Sequence, residues 1–526
     1  MSDPVLDLTV GGMLRDAAAQ APDQLALVEG IPDGGARRRW TYAELLADAE
    51  QVARALLARF RPGERIAVWA HNIPEWELLE LGAGLAGIVM VTVNPAYRAS
   101  ELAYVLRQSR SAGLFLVPEV RGNPLLRHVE DVRPDLPELR DVIRFDEWDD
   151  FLASGSPDTT LPEVAPGDPV QIQYTSGTTG FPKGAYLHHR GICNNARYTA
   201  TYLQVSPGDV WANPMPLFHT GGCVLGVLGA ISKRAAHVLV VGFDPQLVLE
   251  LVETEGANVL GGVPTMLIAL MEHPDFSSRD LSTLRAVISG GSTVPAHLVR
   301  RIESTLGVRF SIVFGQTEAS PVMTQTRLDD TPEDKAETIG QAHPCQEVAV
   351  LDPETGEQVP RGALGEICGR GYNVMLEYFE MPERTAETID ADGWLHTGDL
   401  GTMDDRGYLR VEGRLKDMII RGGENIYPRE IEELLFTHPA VADVAIVGIP
   451  DDRWGEEVAA VVRREAGSEV DENELRAFVR ERLAPQKAPR QWAFVDEFPL
   501  TPSGKIQKFV LREQFEKGEL AEGDDR

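Results

Sequence analysis

The sequence predicts an α/β protein: a large N-terminal domain of parallel-type sheets and helices, followed by a small α+β C-terminal domain. Three observations lead there. At 526 residues the chain exceeds what one compact core usually supports, so at least two domains are expected. Through its first part, stretches with helical spacing alternate with short apolar runs, the pattern of largely parallel sheets covered by helices. Toward the end the texture changes, and glycines and charges interrupt the pattern in VEGRLKDMIIRGGEN, 411–425, which sets the domains at 1–415 and 416–526.

Taken in order, TYAELLADAEQVARALLARF (41–60) places Leu45, Ala49, Val52, Ala53 and Leu56 at helical spacing, and ERIAVWA (64–70) follows as a short buried strand. EWELLELGAGLAG reads as a second helix and MVTVNP as a second strand. A loop is expected around 152–169, rich in Ser, Pro, Gly and Asp, before the strand VQIQY (170–174), whose Val170, Ile172 and Tyr174 alternate with Gln171 and Gln173. In the C-terminal domain EIEELLFTHP is a short helix, DVAIVGIP and EEVAAVVRRE are strands, and ENELRAFVRERLAP is a helix with Leu475, Phe478, Val479 and Leu483 near one face.

With 50 Lys and Arg against 81 Asp and Glu, the net charge of −31 repels a nucleic-acid backbone and an anionic membrane surface, so no nucleic-acid partner is expected. A composition 43% hydrophobic and 25% charged is that of a soluble globular protein. Cys193, Cys223, Cys345 and Cys368 are widely separated, form no CxxC pair and read as buried free thiols in a reducing compartment. The N-terminal MSDPVLDLTVGGMLRD is not a secretory signal, and a cytoplasmic location is expected. The longest apolar runs, 81–93 and 221–231, fall short of the roughly 20 residues of a membrane span and read as core.

The most informative stretch is YTSGTTGFPKG, 174–184. Gly177, Gly180 and Gly184 allow consecutive N–H groups to turn inward around an anion; Thr175, Ser176, Thr178 and Thr179 add hydroxyl donors, and Lys183 adds a positive charge. A phosphate chain is the natural guest, although a structural turn needs the same glycines. Pro182 and Gly184 break the GxxxxGK[ST] pattern, which disfavours a P-loop NTPase or kinase.

Together with FGQTE (314–318), TGD (397–399), GRLKDMIIRGGENIYPREIE (413–432) and PSGK (502–505), this stretch resembles the adenylate-forming (AMP-binding) superfamily of acyl-CoA synthetases, adenylation domains and firefly luciferase, with the motifs in the expected order. Within it, VNPAYRASELAYVL, NPMPLFHTGG, RGGENIYP and PLTPSGKIQKF resemble the medium-chain fatty-acyl-CoA ligases. The resemblance implies an acid–thiol ligase. A carboxylate attacks the α-phosphate of ATP to give acyl-AMP and pyrophosphate, and the thiol of coenzyme A then displaces AMP. ATP, Mg²⁺ and coenzyme A are thereby implied as cofactor and co-substrates, and a small carboxylic acid as partner.

The same resemblance carries residue roles. The loop from Thr175 to Lys183 would wrap the β- and γ-phosphates, with Thr175 and Glu318 at the metal and Thr317 on the α-phosphate. Phe314 and Gly315 would flank the adenine, where the family often has Tyr in place of Phe314, and Gly290 and Gly291 would line the nucleotide and acyl group. Asp399 would chelate the ribose hydroxyls with Arg414 as helper. Lys505, on a C-terminal domain the family makes mobile about Lys416, would neutralise charge as the acyl-phosphate bond forms, and Gly422 and Gly423 would border the pantetheine channel. Read alone, Glu318 is a buried turn glutamate serving as a structural hydrogen-bond acceptor, Asp399 and Arg414 are ordinary turn and surface residues, and Lys505 carries no message. His219 is either a packed core histidine or, by resemblance, the gate between the acyl and pantetheine channels.

The small-residue run TGGCVLGVLGA and the stretch GGVPTM (261–266) are either the walls of an apolar acyl slot or glycines for close helix packing. The expected substrate is an aliphatic monocarboxylic acid of medium or long chain. The alternatives are a short-chain or aryl acid, a carrier protein as acceptor, a luciferase-like oxygenase, or a non-catalytic nucleotide binder. Monomer and homodimer both fit the sequence.

Overall fold

The computed structural model describes residues 3–175, 182–291, 294, 296–422, 424–451, 453–500 and 506–520. They divide into two compact units: Met1–Val348 with Gly369–His396, and Ala349–Cys368 with Thr397–Arg526. The fold is α/β with parallel sheets, as expected.

The first unit holds two sheets. In one, six mutually parallel strands run in the order Arg309–Gly315, Ala286–Gly290, Val259–Gly261, Val210–Asn213, Ala236–Val240, Leu25–Gly30, with antiparallel strands at both edges. In the other, Pro169–Thr175, Val89–Thr92, Arg65–Trp69, Gly113–Leu116 and Asp141–Arg144 are parallel, and the antiparallel strands Lys183–His188 and Glu377–Tyr378 extend it at one edge. Strands covered on both faces are apolar throughout. Ile66 and Val68 enter one core while Ala67 and Trp69, pointing the other way, enter a second.

The helix expected over 41–60 is Tyr42–Leu57, started by a capping box in which the Thr41 hydroxyl accepts from the Glu44 amide and the Glu44 carboxylate accepts from the Thr41 amide. The next helix, Pro74–Ala86, has proline at its first turn and ends at Gly87, whose φ of 65° is the left-handed C-cap. It is buried on nearly every side, and two carboxyl groups on it reach the two sheets. Glu80 accepts from Gln171 Nε2 at 2.6 Å, and Glu77 lies 2.8 Å from His237 Nδ1 with both side chains fully buried. No regular element falls between Ala153 and Pro169, where the loop was expected.

In the second unit Gly455–Arg464 is the central strand of a five-stranded sheet; Val441–Asp451 pairs with it antiparallel at one edge, and Gln491–Phe494 pairs with it in parallel. Period-two alternation puts Val444 and Ile446 into a core with Ile431, Leu435, Leu475 and Val479, and Ala445, Val447 and Ile449 into another with Leu511. Leu395–Met403 and Leu409–Arg414 form an antiparallel pair in a separate sheet.

All four cysteines are unbridged; Cys193, Cys223 and Cys368 are buried as expected. Cys345 is exposed instead, because it sits with a φ of 61° in the turn before the strand Gln346–Leu351. Among the described residues no helix is long and apolar enough to cross a membrane.

Candidate active site

In the first unit the strands Pro169–Thr175 and Lys183–His188 form a hairpin with Thr175 opposite Lys183, and the Thr175 hydroxyl donates to the Lys183 carbonyl at 3.4 Å. The glycine- and hydroxyl-rich stretch is therefore the connection of this hairpin. Ser176, Gly177, Thr178, Thr179 and Gly180 lie outside the described residues. Pro182, just before Lys183, accepts a hydrogen bond on its carbonyl from the Tyr104 hydroxyl at 2.9 Å.

Lys183 extends its ammonium over the ring of Tyr378, 4.0 Å from the centroid. The hydroxyl of the same ring donates to Glu318 Oε1. Glu318 is buried in the single 3-10 turn Thr317–Ala319, which closes against Ser320 in a left-handed conformation with φ of 65°. Burial and the adjacent Glu318 carboxylate push the Tyr378 phenol well above its usual pKa, so it stays a donor. Tyr378 is the residue that sequence reasoning missed. A two-residue strand has no periodicity, and nothing local in LEYFEMPE indicates partners at 183 and 318.

Further expected residues sit at the ends of two neighbouring strands, the place where open parallel sheets bind ligands. Gly290 ends its strand opposite Val313, and a Cβ there would lie 2.4 Å from the Val313 carbonyl oxygen, so only glycine fits. Gly291 follows with φ of 77° and open space where a side chain would point. Phe314 and Gly315 end the adjacent strand, with Phe314 half-buried and Gly315 exposed, and Thr317 and Glu318 come directly after. His219 is half-buried beyond the strand Val210–Asn213; its Nδ1 accepts the Gly221 amide at 3.1 Å, which puts the proton of the neutral ring on Nε2.

The run after His219 is the π-helix Gly221–Leu228. Packing closes two of its glycine positions and crowds a third, Gly229, just beyond its end. A Cβ on Gly222 would stand 2.2 Å from the Pro216 carbonyl, on Gly226 1.9 Å from Asn213 Nδ2, and on Gly229 3.0 Å from the Trp211 ring. Of the two readings of this run, close packing is the one these three glycines obey. Asn213 in turn lies 3.0 Å from His237 Nε2, so the π-helix rests on the buried Glu77–His237–Asn213 chain.

In the second unit Asp399 and Arg414 face each other across two antiparallel strands, with Arg414 Nε donating to Asp399 Oδ1 at 2.9 Å. Asp399 is buried and Arg414 half-exposed; the carboxylate is thus oriented by a partner that also reaches solvent. Lys416 is exposed in the turn leaving that strand. Gly422 has φ of 61° and donates its amide to the Trp454 carbonyl at 2.8 Å. Gly423 and Lys505 lie outside the described residues; Leu500 and Ile506, on either side of the Lys505 loop, form an antiparallel bridge.

The first unit thus brings Thr175, Lys183 and Glu318 into one linked group, and the second brings Asp399 to Arg414. A carboxylate and a hydroxyl are hard oxygen donors, the set Mg²⁺ accepts, so Glu318 and Thr175 fit that ion by donor chemistry.

Comparison with known proteins gives the family. The acyl-CoA synthetase YngI of Bacillus subtilis is 43% identical over 96% of this chain and 97% of its own length. The human mitochondrial medium-chain acyl-CoA ligase ACSF2 is 37% identical over 97% of this chain and 88% of its own. Among solved structures, ATP-bound MatB from Rhodopseudomonas palustris superposes with a TM-score of 0.89 at 31% identity, covering 97% of this chain and 99% of that one. A fatty acyl CoA synthetase from Mycobacterium tuberculosis does so at 0.78 and 32%, covering 97% and 98%. Matched by the AMP-binding enzyme family over residues 14–379 and by its C-terminal domain over 430–505, the chain belongs to the AMP-binding enzymes and is a ligase of that family.

Proposed function

We propose that this protein is an ATP-dependent acid–CoA ligase that activates a medium- or long-chain fatty acid as the acyl-adenylate and transfers the acyl group to coenzyme A. The observation that carries the reading is the grouping of Lys183, at the foot of the hydroxyl-rich loop, with Glu318, beside a glycine-edged strand end, on one side chain. A chain of net charge −31 can hold a triphosphate only where donors are concentrated locally, and this is such a place.

In this reading Thr175 to Lys183 hold the β- and γ-phosphates, Thr317 bonds the α-phosphate, and Phe314, Gly290 and Gly291 border the adenine and the acyl group. Glu318 and Thr175 would hold Mg²⁺, which would supply charge neutralisation of the triphosphate. Asp399, oriented by Arg414, accepts from the two ribose hydroxyls. The attacking carboxylate is ionised at neutral pH and needs no general base, so His219 serves as the gate to the acyl site and not as a proton acceptor. Lys505 supplies the positive charge of the adenylation step, while Gly422 and Gly423 admit the thiol for the second. The four unbridged thiols support a cytosolic setting.

The test is mass spectrometry of the products formed with ATP, Mg²⁺, coenzyme A and a panel of acetate, octanoate, palmitate, benzoate and cinnamate. Octanoyl-CoA or palmitoyl-CoA as the main product supports the proposal. Benzoyl-CoA or acetyl-CoA would replace the substrate class, and acyl-AMP without thioester would replace coenzyme A by a carrier-protein acceptor.

A further inference from the structure

In the ligase reading, on which this inference rests, Lys183 and Glu318 carry opposite charges and serve the same triphosphate. Left to themselves, a lysine and a carboxylate that meet neutralise each other. Here the Glu318 carboxylate takes its hydrogen bond from Tyr378, and the ring of Tyr378 receives the ammonium of Lys183 on its face. We propose that Tyr378 is a positioning residue for nucleotide binding: it keeps Lys183 and Glu318 apart, one for phosphate and the other for Mg²⁺, and fixes the spacing between them.

The geometry around the ring supports a spacer held on all sides. Tyr378 is 2% exposed. Its strand pairs with the strand of Lys183, Tyr378 opposite Ala185 and Glu377 opposite Tyr186, and the Phe379 amide donates to the Gly184 carbonyl at 2.9 Å. From the same segment the Met375 amide donates to the Glu318 carbonyl at 2.8 Å and Asn373 Nδ2 to the Ala319 carbonyl at 3.0 Å. The Tyr378 amide is itself satisfied by the Thr385 hydroxyl at 2.9 Å. Residues 373–379 thus grip both the phosphate hairpin and the Glu318 turn, and the Tyr378 side chain joins the two functional groups.

The electronics act in one direction. A cation on the ring face is attracted by the π-cloud and draws electron density from the ring. That opposes the rise in pKa that burial and the Glu318 carboxylate cause, and it favours the phenol as donor to that carboxylate. The bond occupies Oε1 of Glu318 and turns the carboxylate as a unit, which defines where its other oxygen is presented.

The test separates the hydroxyl from the ring. ATP binding is measured by calorimetry on wild-type, Tyr378→Phe and Tyr378→Leu proteins, across a Mg²⁺ titration and in its absence with chelator, alongside pyrophosphate release. Tyr378→Phe keeps the ring and loses the bond; it is expected to raise the Mg²⁺ concentration for half-maximal ATP binding at least several-fold, with Mg²⁺-free ATP affinity within about twofold of wild type. Tyr378→Leu loses the spacer as well and is expected to weaken both. In a Glu318→Gln background the effect of Tyr378→Phe on Mg²⁺ dependence is expected to vanish, which a merely structural role, lowering thermal stability alike in both backgrounds, does not produce. A Mg²⁺ requirement unchanged in Tyr378→Phe overturns the proposal while leaving the ligase reading intact. Wild-type protein that binds no Mg²⁺–ATP overturns the ligase reading and this proposal with it.

Discussion

Gly422 is pressed against the indole of Trp454: a Cβ built on it would stand 2.7 Å from Cε3, and its φ of 61° is one that side-chain-bearing residues rarely adopt. Trp454 has little room to retreat, since the Arg421 and Arg453 guanidinium groups lie 4.8 and 4.7 Å from its ring. Any side chain at 422 therefore moves the indole or turns the other way.

Gly422→Leu is accordingly expected to slow thioester formation on the order of a hundredfold while acyl-AMP and pyrophosphate still form. Acyl-CoA production from added acyl-AMP, followed beside pyrophosphate release from ATP, separates the two steps. Equal loss of both would remove Gly422 from the thiol-side role.

Lys505→Ala is expected to show the opposite pattern. Removing the charge proposed to act at the forming acyl-phosphate bond costs adenylation about 100- to 1,000-fold, the usual scale for deleting one preorganised stabilising group. Thioester formation from preformed acyl-AMP is expected within a few-fold of wild type. A variant that fails equally in both half-reactions would show that Lys505 serves the fold or the nucleotide as a whole.

Much of the fold could be read from the chain because local signals agree with the tertiary outcome. Thr41 and Glu44 announce a helix start, and the apolar run 64–70 and the alternation in 170–174 become strands within a residue of the expected limits. EWELLEL becomes the helix expected, but its spacing does not tell that Glu77 and Glu80 are buried, which follows from sheets approaching this helix from two sides. The glycines after His219 could not be assigned, since a ligand slot and a close-packed helix both ask for missing side chains. The partner atoms that decide for packing, at Pro216, Asn213 and Trp211, become visible only in three dimensions. Tyr378 was illegible for the same reason: its meaning lies in residues 183 and 318.

Burial also shapes the response to acid. His343 and His189 are each 1% exposed, and desolvation lowers their pKa values to about 3 and about 4. His343 donates from Nε2 to Gln325 Oε1 at 2.8 Å, and His189 Nδ1 accepts the Val10 amide at 3.1 Å, so both are neutral in the fold. Below the ordinary histidine value the unfolded chain takes up protons that the fold refuses, so stability falls as pH falls, by up to about 1.4 kcal/mol per pH unit for each group. Denaturant midpoints at pH 7.0, 6.0 and 5.0 are expected to drop steadily, and His343→Gln to drop less steeply. Parallel slopes for the two proteins would place the acid sensitivity elsewhere.

Glu80 titrates in the opposite sense. Desolvation, with a smaller contribution from the Glu77 charge, raises its pKa well above the usual carboxylate range, against the opposing effect of the Gln171 amide that donates to it. The folded chain then keeps a proton that the unfolded chain releases, and stability contributed by this group is present at low pH and lost as pH rises toward its folded value. Glu80→Gln preserves shape and the acceptor for Gln171 but has nothing to ionise in the unfolded state. Relative to wild type it is expected to match near pH 4.5 and to gain up to about 1.4 kcal/mol per pH unit above that until Glu80 itself ionises in the fold. Urea unfolding of both proteins at pH 5 and pH 8 reads the difference directly. A gap that stays constant across that range would mean that Glu80 is already charged in the native core, with the Gln171 amide donating to an anion.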